Sequence, residues 1–215
     1  MDRKTINQAI SKALEAKGKR KFTQSMEFIV NFHNIDFTKA ENRLNLDVLL
    51  PNGKGKETKV IVFADGQVGL DAKSAGAAEI YGNADIAKLA ADKARLGVLA
   101  KNSEFIAQPS MMINIGKSLG QALGSRGKLP RPIIGSVKDA VDQAKKRVRL
   151  VSKGKYLPVS QCIIGSETMA PETLVENFDA VYEKVKAKVT EPNIKSIYVK
   201  LSMGQPVKVE AAKAA

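Results

Sequence analysis

Gly116-Lys117-Ser118 has the residue types that close a phosphate-binding loop: a glycine for tight backbone approach, a lysine for phosphate and a hydroxyl for magnesium. That loop also needs a glycine at position 111, which is Met. The neighbours Met112, Ile115, Leu119 and Leu123 repeat at helical spacing, which commits the backbone N–H groups that a phosphate cradle needs free. Gly116-Lys117-Ser118-Leu119-Gly120 also fits the nucleophile elbow, whose serine works with a histidine later in the chain. The sole histidine, His33, comes earlier and reads as a polar neighbour rather than a base. The single Cys162 lies beside Ile163 and Ile164 and reads as a small buried hydrophobe. One Cys and one His argue against an internal disulfide, a thiolate-rich zinc site or a multi-histidine metal centre. There is no glycine-rich dinucleotide fingerprint. No active site, metal or cofactor is expected.

The chemistry that remains is electrostatic. The 215 residues carry 35 Lys plus Arg against 22 Asp plus Glu, a formal net charge of +13. Such an excess concerns association rather than fold. It is spread over residues 1–55, 56–147 and 148–215, so apart from the short Ala/Lys end 211–215 it sits on folded surface. The densest clusters are Lys17, Lys19, Arg20 and Lys21, the stretch from Arg126 to Arg131, and Lys145, Lys146 and Arg147. Each alone reads equally well as a solvated helix end, but together they favour nucleic acid as the partner. Hydrophobic residues make up 44% of the chain, which suits a globular protein and not a disordered one. No run approaches the roughly 18 apolar residues of a membrane span. Met1-Asp2-Arg3-Lys4 leads into an amphipathic pattern, not a signal-peptide block. The expected protein is soluble and cytoplasmic, with no membrane partner.

The positioning elements follow from periodicity. Ile6, Ala9, Ile10, Ala13 and Leu14 predict a helix that Asp2 caps and Gly18 stops. Met26, Phe28, Val30 and Phe32 alternate as a half-buried strand, and Leu44, Leu46, Val48 and Leu50 do so again before the turn Pro51-Asn52-Gly53. Two such strands predict an antiparallel sheet with one wet face. Val60-Ile61-Val62-Phe63 is continuously apolar, as in a strand covered on both faces. The turn Asp65-Gly66, helices around Leu70–Ala78 and Ile86–Leu99, a run Phe105-Ile106-Ala107 and a helix from near Ser110 then mark an α/β unit. A Gly/Pro/Arg-rich loop from Gly124 to Pro132 precedes another helix, with Ser136 and Asp139 in capping-box-like spacing.

After Arg147 the earlier character returns. Val148–Val151 and Val159–Ile164 read as strands about a turn at Lys153-Gly154-Lys155. Pro171 opens a helix with the stripe Leu174, Phe178, Val181 and Val185. A last strand turns Ile197, Val199 and Leu201 one way and Tyr198, Lys200 and Ser202 the other. The expected fold is a split α+β domain, an antiparallel sheet with helices, formed by both chain ends (residues 1–55 and 148–215). An α/β, Rossmann-like domain (residues 56–147) is inserted into it, and two chain crossings act as a hinge.

Three clusters carry a resemblance: Lys21-Phe22-Thr23-Gln24-Ser25-Met26-Glu27, then Gly120-Gln121-Ala122-Leu123-Gly124-Ser125-Arg126-Gly127-Lys128-Leu129-Pro130, then Ser202-Met203-Gly204-Gln205-Pro206. In this order and at these separations they resemble the large-subunit ribosomal protein L-one family, across nearly the whole chain. Ser202 stands for the family's Thr and keeps a hydroxyl, Gln205-Pro206 replaces Pro-Ser, and Ser166 after Gly165 stands where bacterial members carry Lys. These departures resemble the archaeal and eukaryotic branch. The resemblance implies a ribosomal protein that holds large-subunit ribosomal RNA at the mobile stalk near the tRNA exit site, chiefly through the split domain. It further implies help in releasing deacylated exit-site tRNA, repression of translation through the protein's own mRNA, and a monomer when free.

The expected RNA-binding residues are Lys21, Phe22, Ser25 and Glu27 from the first cluster, Gly165 and Ser166, and Lys200, Ser202, Met203 and Gly204 near the C-terminus. Phe22 and Met203 offer apolar area to riboses or bases, although ordinary core packing accounts for such residues equally well. Gly204 permits close backbone approach, while Ser25, Glu27 and Ser202 offer hydrogen bonds to 2′-hydroxyls. A carboxylate near phosphates fits only as an acceptor from sugar or base, or as the orienter of a nearby cation; otherwise Glu27 is a solvated strand residue. The competing readings are a phosphate-handling α/β enzyme that uses the inserted domain, and a basic DNA-binding module.

Overall fold

The structure is a computed structural model that describes residues 2–152 and 157–210. The expected turn at 153–155 and the end at 211–215 lie outside the described residues. The chain divides into two compact units, one built from residues up to Lys56 and from Lys146 onward, the other from Glu57–Lys145.

The first unit opens with α1 (Arg3–Glu15), whose Ile6, Ala9, Ile10 and Ala13 are buried on one stripe. Asp2 caps it, its Oδ1 accepting from Lys4 N at 3.2 Å. Gly18 follows at φ +63°, a backbone conformation that costs glycine nothing. β1 (Ser25–Phe32) and β2 (Asn45–Leu49) come next. They do not pair with each other, contrary to the single sheet expected from their shared alternation. β1 joins a four-stranded sheet, whereas β2 forms a separate antiparallel ribbon. Periodicity reports which face is buried, not which strand lies alongside.

The second unit starts with β3 (Lys59–Phe63), α2 (Gly66–Ser74), β4 (Glu79–Tyr81), α3 (Asn83–Ala91) and α4 (Lys93–Asn102). β5 (Ser103–Ala107), α5 (Met112–Gly124), β6 (Arg131–Pro132) and α6 (Val137–Lys146) complete it. The four strands are parallel in the order β4-β3-β5-β6. Ile61 and Phe63 face a core with Leu89, Ile115 and Leu119, while Val60 and Val62 face another with Ala72, Val141 and Ala144. This two-sided burial is why β3 reads as an unbroken apolar run. The helix expected over 86–99 is two helices. Asp92 breaks it and caps the second, its Oδ1 accepting from Arg95 N at 2.9 Å. The helix expected to reach Ala78 stops at Ser74, which makes room for β4.

The chain re-enters the first unit through β7 (Arg147–Val151), β8 (Val159–Ser166), α7 (Pro171–Lys188), β9 (Ile194–Leu201) and β10 (Val207–Val209). β7 pairs antiparallel with β2, and the main sheet runs β10-β9-β1-β8, all antiparallel. Phe28, Val30, Ile197 and Val199 turn one face toward α1 and α7, where Phe28 meets Phe178 edge-on at 5.0 Å between ring centroids. Together the units form a mixed α/β protein with parallel and antiparallel sheets. β4, β6 and β10 went unforeseen, because two or three residues carry no readable period.

Candidate nucleic-acid interface

The start of β1 and the end of β9 lie side by side, with Met26 opposite Leu201 and Glu27 opposite Lys200. Beyond the last pair, Ser202 N donates to Ser25 O at 3.0 Å. Ser25 N donates to Ser202 Oγ at 3.2 Å, and Ser202 Oγ donates to Ser25 O at 3.3 Å. Two segments separated by most of the chain thus meet at one end of the sheet. Each adds an exposed apolar side chain there: Phe22 is 54% exposed and Met203 60% exposed. Both are large hydrophobes left in water. Met203 stands in a tight turn closed by Gly204 N donating to Leu201 O at 2.9 Å. A Cβ on Gly204 would lie 3.2 Å from Leu201 Cβ, a tight contact.

Gln24 holds these segments together, a residue that sequence reasoning missed. Only 1% exposed, it donates from Nε2 to Lys17 O at 2.9 Å and to Glu167 Oε2 at 3.3 Å, and accepts at Oε1 from Met203 N at 3.1 Å. Its backbone carbonyl accepts from Glu167 N at 3.0 Å. One amide therefore fastens the segment after α1, the end of β8 and the turn after β9. The signal for it was present: Gln24 is in phase with inward-facing Met26, Phe28 and Val30, where a polar side chain must find partners.

The other predicted residues fall into two groups. Lys21 is exposed, and Glu27, Lys200, Ser202 and Gly204 are half-buried, so all five border the Phe22–Met203 end of the sheet. Glu27 and Lys200 lie opposite each other in the strand register. Gly165 and Ser166 depart from expectation, because both are buried. Ser166 Oγ donates to Gln24 O at 3.4 Å and accepts from Thr168 Oγ1 at 3.2 Å, so its hydroxyl serves the floor of the patch and is withheld from a ligand. A Cβ on Gly165 would sit 2.3 Å from Leu174 Cδ2 and 2.9 Å from Met169 Sδ, which explains the glycine by packing. Ser25 is likewise buried, at 6% exposure. Lys56 Nζ donates to Thr23 O at 2.8 Å and braces the loop between Phe22 and Gln24.

Residues that could suggest catalysis are placed otherwise. Gly116, Lys117 and Ser118 lie inside α5, where the backbone N–H groups bond within the helix. Burial pushes the Cys162 thiol up to about 12, so it stays a neutral, inert hydrophobe. In the basic loop, Arg126 Nη1 donates to Gly97 O at 2.8 Å and Lys128 pairs with Glu104 at 2.6 Å. These two cations hold the loop. No helix among the described residues is long and apolar enough to cross a membrane.

A sequence model of the family described as "Ribosomal protein L1p/L10e family" matches residues 12–205. Among curated proteins, the chain is 41% identical over 214 residues to the large ribosomal subunit protein uL1 of Methanocella arvoryzae, which covers 97% of this chain and 100% of that protein. It is 39% identical over 219 residues to the uL1 protein of Methanocaldococcus jannaschii, with 100% and 99% covered. Against the uL1 protein of Thermofilum pendens it is 43% identical over 210 residues, with 95% and 92% covered.

Proposed function

Because the chain belongs to the ribosomal protein L1p/L10e family, we propose that it is a non-enzymatic constituent of the large ribosomal subunit that grips ribosomal RNA with the Phe22–Met203 end of its antiparallel sheet. The observation that supports this most is the convergence of two exposed apolar side chains, contributed by distant segments, on loops bound together through Gln24. Phe22 and Met203 offer flat apolar area to ribose or base faces, Lys21 and Lys200 offer charge to phosphates, and Glu27 accepts from a 2′-hydroxyl or base while orienting Lys200. Affinity then has a salt-dependent phosphate part and a shape-dependent part.

In this reading residues 1–55 and 148–215 form the RNA-binding domain and residues 56–147 the inserted one. The protein sits at the mobile stalk in the cytoplasmic ribosome, and two chain crossings let its domains move as deacylated tRNA leaves the exit site. Free of the ribosome it is a monomer that binds its own mRNA through the same patch and so represses its synthesis. The test is Met203→Asp, which presses an unpaired carboxylate against RNA at a cost of about 1–3 kcal/mol. Binding to a folded large-subunit ribosomal RNA fragment weakens roughly tenfold if the patch is the site. Wild-type affinity in that variant would remove the site assignment.

A further inference from the structure

The four-stranded sheet has helices α1 and α7 against one face, and its other face carries a row of side chains that meets the Phe22–Met203 patch at Lys200 and Glu27 and runs beyond it. Ile29 of β1 lies opposite both Gln161 of β8 and Tyr198 of β9, and Tyr198 lies opposite Lys208 of β10. Ile197 and Val199 are fully buried toward the helices, so the ring of Tyr198 between them turns away from the core. Tyr198 and Ile29 are half-buried, while Gln161 and Lys208 are exposed. Lys200, two positions further along β9, is on the same face. The row thus sets an aromatic ring beside Ile29, with Lys208 opposite it and Lys200 two positions along the same strand.

We propose that this row binds one unpaired nucleotide of the same RNA, its base stacked on Tyr198 and its phosphates met by Lys200 and Lys208. The inference rests on the RNA-binding reading above and extends that patch across the open face of the sheet. Every base has a π-face, and an aromatic ring with adjacent cations is the arrangement that holds single-stranded nucleic acid without demanding a sequence. Charge favours the same occupant, since among the outward-facing positions of the four strands Glu27 is the one carboxylate against Lys200 and Lys208. The surface is also continuous with the patch: four residues of strand from Tyr198 to Ser202 span about 13 Å.

The full-length protein is titrated with a folded large-subunit ribosomal RNA fragment and with a short oligouridylate. The variants are Tyr198→Phe, Tyr198→Leu, Lys208→Ala and Met203→Asp. Tyr198→Phe keeps the ring and binds both RNAs as wild type does. Tyr198→Leu keeps apolar bulk and folding but lacks the π-face, and binds both about tenfold more weakly with an unchanged salt slope. Lys208→Ala lowers the salt slope by somewhat under one. Wild-type affinity in Tyr198→Leu, with Met203→Asp impaired, overturns this inference alone. Wild-type affinity in both overturns the RNA-binding reading as well. A self-associated species in sedimentation that Tyr198→Leu abolishes while RNA binding stays intact assigns the face to a second copy, and also overturns the proposal.

Discussion

Gln24 Oε1 accepts from Met203 N at 3.1 Å while the same amide donates to Lys17 O at 2.9 Å, so the backbone of the exposed methionine is aimed by a side chain that is itself out of reach of solvent. Gln24→Met keeps the volume and removes every one of these bonds. The expected cost is about 1–3 kcal/mol of stability, read from urea denaturation, because partly buried groups lose their partners. RNA affinity falls as well under conditions where the variant is fully folded. If affinity stays at the wild-type value, Gln24 supports the fold but does not position Met203.

Gly165→Ala places a methyl group 2.3 Å from Leu174 Cδ2, so the fully buried Leu174 side chain has to shift. Overpacking of this kind costs about 1–3 kcal/mol, seen as a lower urea midpoint at an unchanged slope. In a Leu174→Ala background the added methyl group falls into the vacated space, so the double variant is more stable than the sum of the single effects implies. Additive losses would show that the clash is relieved elsewhere.

Asn177 is fully buried in α7 and makes three bonds, accepting from Asn52 N at 3.1 Å and donating to Gly53 O at 2.9 Å and Ile164 O at 2.7 Å. It binds the turn after β2 to the strand that underlies the patch. Asn177→Leu strands three backbone groups, a loss of about 3 kcal/mol or more. Amide hydrogen exchange at Asn52 accelerates in the variant, and unchanged protection there would contradict this assignment.

Alkaline pH tests the burial of Cys162. Its folded thiol is pushed up to about 12 by desolvation, above the ordinary value of 9.0. Between those values the unfolded chain releases the proton and the folded chain keeps it, so the unfolded state binds fewer protons and stability falls as pH rises. The contribution is intact below about pH 9 and lost progressively toward 12. Cys162→Ala removes this part of the alkaline slope, measured by denaturation from pH 8 to 11. In the native wild type, thiol reagents modify Cys162 only as fast as the chain opens.

Lys21→Ala and Lys200→Ala separate charge from shape. Each lost phosphate contact lowers the dependence of log affinity on log salt by somewhat under one unit. The two variants therefore converge with wild type at high salt, whereas Met203→Asp stays weaker at every salt concentration. A salt slope unchanged in both lysine variants would place the phosphates elsewhere.

The long elements were legible from the residues. Met26, Phe28, Val30 and Phe32 alternate because one face of β1 is covered, and Val60–Phe63 is continuous because β3 has a core on each side. Phe22 and Met203 were readable as candidates, but their exposure was not, since an apolar residue near a strand end packs inward as readily as outward. The burial of Ser166 was hidden for a related reason: sequence gives a hydroxyl and a neighbour, not the buried carbonyl of Gln24 that the hydroxyl meets. The break at Asp92 was hidden because Ile86, Leu89 and Leu96 keep near-helical spacing across it.

β1 sits between β8 and β9, so Phe28 has Cys162 on one side and Val199 on the other, and both are made long after it. During vectorial synthesis the first fifty residues leave the exit tunnel with no neighbouring strand to join, while Glu57–Lys145 already holds all four strands of its own sheet. A strand made late therefore completes the earliest one. A nascent chain stalled before β9 has neither the turn that carries Met203 nor the second neighbour of β1, so the two segments that meet at this end of the sheet are joined only once β9 has been made.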